Sequence, residues 1–519
     1  MGRKLIKHPG YTIILVLYLF FVVFPVLNSI WLTVTNGHFI EIVKTVGQDT
    51  ILLLLKSSGL SAIIAIISTL AGIVLGFIIY KTPVRFGKIF KITILLPLFI
   101  SPYILAVAWK DLLLLFFDKI YGINSFFAIV LIHSTIYIPL SILIIGSALV
   151  NVSRESEESA LMIAGFKKMF FRILLPLIKP AILTSLVLVF IFSISEFSVP
   201  AYFGVRVFTT EIFTQFSAFY NYNLAMLQST LLIIICILLL LSERKYIADS
   251  PFLSISTRGK STKIYDFKNL NRLGLLILIF SLLVMIILPL LELIYQSFEK
   301  GTGQFTKAFN LLLPTFENSL FLAFIGAIST LIIGFVAAYF SEVYRKKNLD
   351  SLILFVFAVP SIVLGIALIK FYNRPFLSGI YSGFGIIIIG YIAKYGFISA
   401  KLMGNAIKQI PSSLNEVAKI QGIGSIKRIS FITIPLILPA IFASFIINFL
   451  FCLGDLGTTI IVYPPGAEIM PIKIFTIMAN APESLTGSMV LIVFLFTILI
   501  ILILFIIFKK IVVFYNVDY

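Results

Sequence analysis

Residues 176–185 read PLIKPAILTS and residues 435–444 read PLILPAIFAS, so one proline-bracketed segment occurs twice at a spacing of 259 residues. The same register, extended without gaps, aligns further serines, acids and phenylalanines: Ser153 with Ser412, Glu157 with Glu416, Phe190 with Phe449, and Glu196 with Asp455. A nearby spacing of 261 aligns 67-ISTL-70 with 328-ISTL-331. Repeated Ile and Leu alone do not align prolines, serines and acids, so the pattern indicates an internal duplication.

The composition excludes a soluble enzyme. Of 519 residues, 60% are hydrophobic and 12% charged, and the mean hydropathy is +1.11, whereas soluble domains are about half apolar and a quarter charged. A membrane-spanning helix needs about 20 mostly apolar residues. On that measure the chain has twelve candidate spans, at 11–34, 50–80, 90–116, 124–150, 177–203, 224–242, 272–296, 316–342, 350–371, 380–407, 436–462 and 487–508.

These spans and the duplication predict the fold class: an all-α polytopic membrane protein with about twelve transmembrane helices in two six-helix repeats. Because six is even, both repeats share one orientation, related by a pseudo-two-fold axis along the membrane normal. The predicted divisions are a first repeat at 1–242, a basic cytoplasmic linker at 243–271 and a second repeat at 272–519. Prolines inside the spans are expected to kink the helices rather than end them; they are Pro25, Pro97, Pro102, Pro289 and Pro360.

The net charge of +18 sets the topology. With the N-terminus inside, 29 of the 40 Lys and Arg residues fall on the cytoplasmic side and 9 on the outer side. This bias predicts a multi-pass protein of the bacterial cytoplasmic membrane with both termini in the cytoplasm. The basic charge therefore indicates a lipid bilayer rather than nucleic acid as the partner. The opening MGRKLIKHPG leads into a first anchor, with no small-residue cleavage site.

The reactive residues predict no catalytic, cofactor or metal site. Cys236 and Cys452 lie in apolar runs, and the three histidines are scattered, so neither a disulfide framework nor a zinc centre is expected. The linker segment 258-RGKST-262 lacks the first glycine and the preceding strand of a phosphate loop. The chain is therefore not expected to hydrolyse ATP or to be an enzyme.

The most polar part of each repeat is the loop after its fourth span, residues 151–180 and 410–439. The second loop has Ser412 or Ser413 as an expected N-cap, Glu416 in the first turn and apolar residues at helical spacing, which predicts a short amphipathic surface helix. Gly422 and Gly424 are expected to end it.

These loops resemble the EAA motif of ABC-importer permeases, a Glu-Ala-Ala followed by glycine and a hydrophobic-Pro pair. Glu416, Val417, Ala418 and Gly422 match it, with Pro435 further on. In the first repeat Glu157, Glu158 and Ser159 hold the same register, but Ile163 stands where glycine is expected and Gly165 is the alternative bend. The chain most resembles fused, binding-protein-dependent permeases of the ferric-iron and thiamine group.

This resemblance implies partners and roles. Two copies of a cytoplasmic ABC ATPase, which binds ATP-Mg, would each receive one coupling helix, and an extracytoplasmic solute-binding protein would deliver the solute. The coupling residues implied are Glu157, Ser159, Gly165, Glu416, Ala418, Gly422 and Gly424. Glu157 and Glu416 would contact the ATPase. The alternative is that each loop is merely a capped interfacial helix whose Glu is favoured by the helix dipole.

Three ionisable residues inside spans are tentative pathway candidates. Glu196 and Asp455 occupy equivalent positions near the outer ends of their spans, and Lys394 lies near the middle of the tenth. Acids in apolar spans are costly and usually face a cavity or partner. Glu196 and Asp455 therefore either line a cation pathway or end their helices structurally. Lys394 either lines the pathway or pairs with a neighbour.

The functional prediction is the permease subunit of an ATP-driven importer of a small solute, working by alternating access. Ferric iron is favoured and thiamine is next. The alternative is an ion-gradient-driven secondary transporter with parallel repeats, which requires ionisable residues at mid-membrane. A membrane-embedded enzyme is a third possibility, with only the membrane carboxylates to use.

Overall fold

Every regular element in the described part of the chain is helical. The computed structural model describes residues 9–35, 47–85, 87–115, 117, 123–242, 264–266 and 268–514. Ten helices are long and apolar enough to cross a membrane, or up to 12 spans if each of two bent pairs is one span. Most of the predicted linker and both chain ends lie outside the described residues.

The principal helices form two equivalent series. The first repeat contains α1 Pro9–Thr33, α2 Gln48–Lys81, α3 Ile89–Phe99, α4 Pro102–Leu114, α5 Asn124–Asn151, α6 Arg154–Met169, α7 Lys179–Ser195, α8 Ser198–Tyr202, α9 Phe208–Ser217 and α10 Tyr222–Leu241. The second contains α11 Asn271–Phe298, α12 Gly303–Tyr344, α13 Asn348–Phe357, α14 Ser361–Tyr372, α15 Gly385–Lys408, α16 Ser412–Ile420, α17 Ile434–Gly454, α18 Thr459–Val462, α19 Met470–Met478 and α20 Glu483–Lys510. Each helix of the first repeat thus has a counterpart in the second.

The packing of α2 on α5 fixes how the bent pair α3–α4 is counted. Gly72 of α2 lies against Ser141 of α5, and Tyr80 lies against Gly146 one to two turns further on, so the two helices run in the same direction. A Cβ at Gly72 would overlap Ser141, so the close approach requires glycine. Because α2 and α5 are parallel, the chain between them returns to the opposite end. Each bent pair is one crossing, and the chain crosses twelve times.

The prediction that the internal prolines only kink the third and ninth spans was wrong. The helices end there, and their halves meet at 98° in the first repeat and 108° in the second. Ser101, before Pro102, and Pro360 itself both have extended backbone, with ψ of 135° and 145°. A proline ring disfavours helical geometry at the preceding residue and removes a hydrogen-bond donor. The bends open the helix packing at the centre of the molecule.

Pro25 and Pro289 do lie inside continuous helical segments, each just after a π-helical turn, Leu19–Val23 and Leu283–Ile287. A π turn accommodates the bond that proline cannot make. The carbonyl four residues before Pro25 belongs to Phe21, and the Tyr372 hydroxyl of the second repeat donates a 2.8 Å hydrogen bond to it. Helix α1 thus packs on the second repeat.

Helix α11, the second repeat's first span, packs in turn on the first repeat. Gly274 lies against Ile78 of α2, and the Gln296 side-chain amide donates a 2.8 Å hydrogen bond to Asp111 of α4. The two repeats have therefore exchanged their first spans, which interlocks them around a common core.

The predicted fifth and eleventh spans, 177–203 and 436–462, are each interrupted. Helix α7 ends before Glu196 and α17 ends before Asp455, and a short helix follows in each case. Both acids have extended backbone, with ψ of 130° and 125°. The equivalent breaks place both carboxylates beside the α3–α4 and α13–α14 bends.

Candidate functional site

A cavity of about 130 Å³ lies between the repeats and is bounded by equivalent parts of each. The matched lining residues are Ser101 and Ser361 at the two bends, Tyr137 and Tyr395 on α5 and α15, and Glu196 and Asp455 at the ends of α7 and α17. Lys394 lines the same cavity. The structure therefore brings all three predicted pathway residues to one chamber, although their role in translocation remains a prediction.

Glu196 is held by the helix that follows it. Its Oε1 accepts hydrogen bonds from the Ser198 hydroxyl and from the Ser198 N–H, the latter at 2.8 Å, and its Oε2 accepts one from the Val199 N–H at 3.0 Å. His133 Nε2 lies 3.2 Å from Oε2. The side chain is only 12% exposed. Glu196 thus caps α8 and lines the cavity at the same time.

Asp455 repeats this arrangement with one change. Its Oδ2 accepts a 3.0 Å hydrogen bond from the Thr459 N–H at the start of α18, and its Oδ1 accepts a 2.7 Å bond from the Tyr395 hydroxyl. Asp455 is 5% exposed. Both alternatives set out for these acids therefore coincide in one geometry: each carboxylate ends a helix, and each faces the chamber.

Lys394 is a buried cation with weak coordination. It is 4% exposed, and its Nζ donates a 3.4 Å hydrogen bond to the Val359 carbonyl, just before the α13–α14 bend. The Phe357 and Phe192 rings lie at 5.8 and 6.0 Å from Nζ to ring centroid, in the range of cation–π attraction. The cavity thus contains two carboxylates, one ammonium group and aromatic faces.

The sequence reasoning missed His133 and two clusters of hydroxyls. Ser185 of α7 joins Thr69 of α2 to Ser141 of α5, at 3.0 and 2.9 Å. In the second repeat Ser399, Ser444 and Asn448 form the matching cluster. A signal for it exists, because 137-YIPLSILIIG-146 and 395-YGFISAKLMG-404 share Tyr, Ser and Gly at a spacing of 258. The ungapped spacing of 259 hides it.

The first coupling loop is formed by α6. Glu157 is wholly buried: its Oε1 lies 2.6 Å from Lys81 Nζ at the end of α2, and its Oε2 accepts a 3.0 Å hydrogen bond from the Tyr265 hydroxyl. Burial, followed by the charge of Glu157, raises the pKa of Tyr265. Glu157, expected on the partner-facing side, thus faces its own chain. Ser159 is exposed, and the next residue, Ala160, takes the buried position.

The second coupling loop is formed by α16, which lies on the surface. Glu416 is exposed, and none of the described residues forms an ion pair with it. Ala418, 4% exposed, anchors the helix. The expected N-cap was wrong: the helix starts at Ser412 itself after Pro411, without a side-chain cap, because Pro411 has already set the extended entry.

The glycine bends are equivalent in the two loops. Gly165 and Gly422 have φ of +72° and +73°, in the region that glycine adopts without strain. Gly165, rather than Ile163, thus forms the bend in the first loop. Gly424 has an ordinary φ of −62° and precedes the short helix Ser425–Arg428. Ile163 and Ile420, 88% and 85% exposed, lie close before the bends.

Among the described residues, no group of three or more His, Cys, Asp or Glu side chains is arranged to hold a metal ion. The free cysteines, Cys236 and Cys452, are both buried. The cavity's carboxylate, hydroxyl and aromatic groups suit brief contact with a passing solute.

Two parallel helical repeats, interlocked through their first spans around a shared chamber, define a duplicated membrane permease. The chain belongs to the family of binding-protein-dependent transport system inner membrane components, whose model matches residues 60–248 and 306–512. It is accordingly a multi-pass inner-membrane transport permease of the fused two-half type.

Relatives with a fused chain match along most of the length. The Fe(3+)-transport system permease protein FbpB 2 of Haemophilus influenzae is 24% identical over 434 residues, covering 79% of this chain and 81% of the relative. The ferric transport system permease protein FbpB of Actinobacillus pleuropneumoniae is 25% identical, covering 86% and 70%. The spermidine/putrescine transport system permease protein PotC of Escherichia coli is 26% identical and covers 37% of this chain and 77% of its own length.

Proposed function

We propose that this chain is the transmembrane subunit of an ATP-driven importer and moves a small cationic solute by alternating access. Two copies of a cytoplasmic ATPase would engage the coupling helices α6 and α16, and an extracytoplasmic binding protein would deliver the solute. ATP-Mg would be bound by the ATPase. The observation that carries the proposal is the chamber, because equivalent residues of both repeats line it and relative motion of the repeats would open it to either side.

The coupling loops supply the route for force. Each surface helix follows a long span, α5 or α15, and is joined through a glycine bend to α7 or α17. The far ends of α7 and α17 carry Glu196 and Asp455 at the chamber. A push on either coupling helix would therefore be transmitted along a rigid helix to a wall of the cavity.

Ferric iron is the favoured solute and thiamine the next. Hard cations prefer oxygen ligands, which the chamber offers from Glu196, Asp455 and the Tyr395 phenol. The fused relatives that match most of this chain are named for ferric transport. Thiamine is also a cation, and its ring would suit the aromatic walls formed by Phe192 and Phe357.

The proposal is tested by mild-detergent purification of the tagged full chain from its native membrane, with identification of stoichiometric partners. We expect an ATPase at two copies per chain and its loss in a Glu416→Ala variant. An exposed Lys419→Ala variant on the same helix serves as a matched control and should retain the ATPase. Uptake of radioactive iron and of labelled thiamine into vesicles containing the complex would then separate the two solutes.

Recovery of the folded chain without any ATPase, under conditions that preserve a known importer, would contradict the proposal. Uptake driven by an ion gradient in the absence of ATP would then support the secondary-transporter alternative, with Lys394 as its central ionisable group.

A further inference from the structure

The carboxylate of Glu157 is fully used inside the chain. Lys81 and Glu157 side chains are both 0% exposed and are 2.6 Å apart. Tyr265, 1% exposed, donates its hydroxyl to Glu157 Oε2 at 3.0 Å, and its backbone N–H donates to the Lys81 carbonyl at 2.7 Å. Three distant segments therefore meet here: the end of α2, the coupling helix α6 and the C-terminal part of the linker.

Aromatic packing closes this cluster on the side of the glycine bend. The Tyr265 ring stacks on Phe77 of α2 with centroids 5.7 Å apart, and it meets Phe166 edge-to-face at 5.6 Å. Phe166 directly follows Gly165, the left-handed residue of the first loop. The linker thus fixes the two sides of the bend, one through Glu157 and the other through Phe166.

The second repeat has no equivalent cluster in the described residues. At the spacing of 261 that aligns α2 with α12, Lys81 corresponds to Glu342, an acid, whose Oε1 lies 3.8 Å from Lys408. Glu416 is exposed on α16. The two coupling loops therefore share a backbone bend but differ in how their acid is used.

We propose that Tyr265 and Lys81 form an intramolecular lock on the first coupling helix, so that Glu157 is a positioning residue and Glu416 alone contacts the ATPase through its carboxylate. This inference rests on the proposed function for the identity of the partner. With Glu157 withdrawn, the first loop offers its partner Met162 and Ile163, which are 82% and 88% exposed. Two copies of one ATPase would then meet two chemically different surfaces on a single chain.

A charge swap distinguishes a lock from a partner contact. Glu157→Lys and Lys81→Glu each place like charges together in a buried site, and we expect each to reduce ATPase recovery by at least about tenfold. The double variant restores an opposite pair and is expected to recover the ATPase to within about threefold of the unaltered chain. If Glu157 contacts the ATPase instead, the double variant will be no better than Glu157→Lys, and the lock is refuted.

A second measurement uses the purified full chain without any ATPase, so it is independent of the proposed function. Hydrogen exchange of α6 is compared with that of α16 in the same molecule. Tyr265→Phe, the mildest variant, is expected to speed exchange in α6 by about fivefold, since one hydrogen bond to a charged group is lost, and to leave α16 unchanged. Exchange in α6 that stays unchanged would refute the lock.

These two readouts separate the failure of one proposal from the failure of the other. If the unaltered chain recruits no ATPase but Tyr265→Phe and the charge pair alter α6 exchange as expected, the proposed function fails and the lock stands. If the ATPase is recruited and lost in Glu416→Ala, but the charge swap gives no rescue, the proposed function stands and the lock fails.

Discussion

Asp455 allows its two structural interpretations to be separated by one substitution. In Asp455→Asn, the side-chain oxygen continues to accept from the Thr459 N–H, while the new amide donates to the Tyr395 oxygen. This rearrangement is open to it because a phenol hydroxyl both donates and accepts. The observed bonds of 3.0 and 2.7 Å are therefore replaced rather than lost. Asp455→Ala, in contrast, leaves both donors buried without a partner.

The expected magnitudes differ clearly. Each buried donor left unsatisfied costs about 1–3 kcal/mol, so Asp455→Ala should lower the free energy of unfolding by about 2–6 kcal/mol, and Asp455→Asn by less than about 1 kcal/mol. The lost charge affects a passing cation separately. At about 4 Å and an effective dielectric constant of about 20, the attraction is about 4 kcal/mol per unit of cation charge. Even a third of that corresponds to a tenfold change in rate.

The assay measures uptake of radioactive iron in cells that rely on this permease, alongside unfolding of the purified chain in bilayer discs. If the carboxylate lines the pathway, Asp455→Asn will fold normally and lose at least about tenfold in uptake. Glu196→Gln should behave similarly. Asp455→Asn that folds normally and transports within about twofold of the unaltered chain would refute a pathway role and leave Asp455 as a helix cap only.

Three further outcomes follow from local geometry. Gly422→Ala should weaken ATPase recovery because its φ of +73° costs alanine about 1 kcal/mol, while Gly424→Ala, at a φ of −62°, should not; equal recovery would contradict the assigned bend. Tyr372→Phe removes the 2.8 Å bond to the proline-freed carbonyl of α1 and should lower unfolding free energy by about 1 kcal/mol, with no loss counting against it. Although burial raises the pKa of Glu211, the hydrogen bond from Arg206 prevails and holds it below its usual range. That bond should therefore persist at neutral pH and break as pH falls through the lowered pKa, with faster hydrogen exchange in α9; pH-independent exchange would oppose it.

The architecture was readable because it depends on quantities that act locally. Apolar length set the number of crossings, and the aligned prolines and acids set the duplication. The bends at Pro102 and Pro360 were not readable, since a proline in an apolar run is compatible with a kink or with a break. The outcome depends on whether neighbouring helices leave room for the halves to separate, which is a property of the packed structure.

The coupling loops show the same division. The motif correctly located both surface helices, and a left-handed glycine is found in each. Which face of α6 is buried depends on Lys81, which lies 76 residues before Glu157, and on Tyr265, 108 residues after it. No periodicity within the loop contains that information. The chamber acids were found because a carboxylate in an apolar span is rare, whereas His133 was passed over as one of three scattered histidines.

The exchange of first spans imposes a waiting time on biosynthesis. The Phe21 carbonyl and the Tyr372 hydroxyl that pairs with it are separated by 351 residues. At about 5–20 residues per second, a ribosome needs about 18–70 s to make the intervening chain. During that interval α1 stands in the bilayer before its final neighbours exist. Its π turn helps it to do so, because a widened turn satisfies part of the backbone around Pro25 within the helix itself. The last step of assembly is therefore the capture of the earliest helix by one of the later ones.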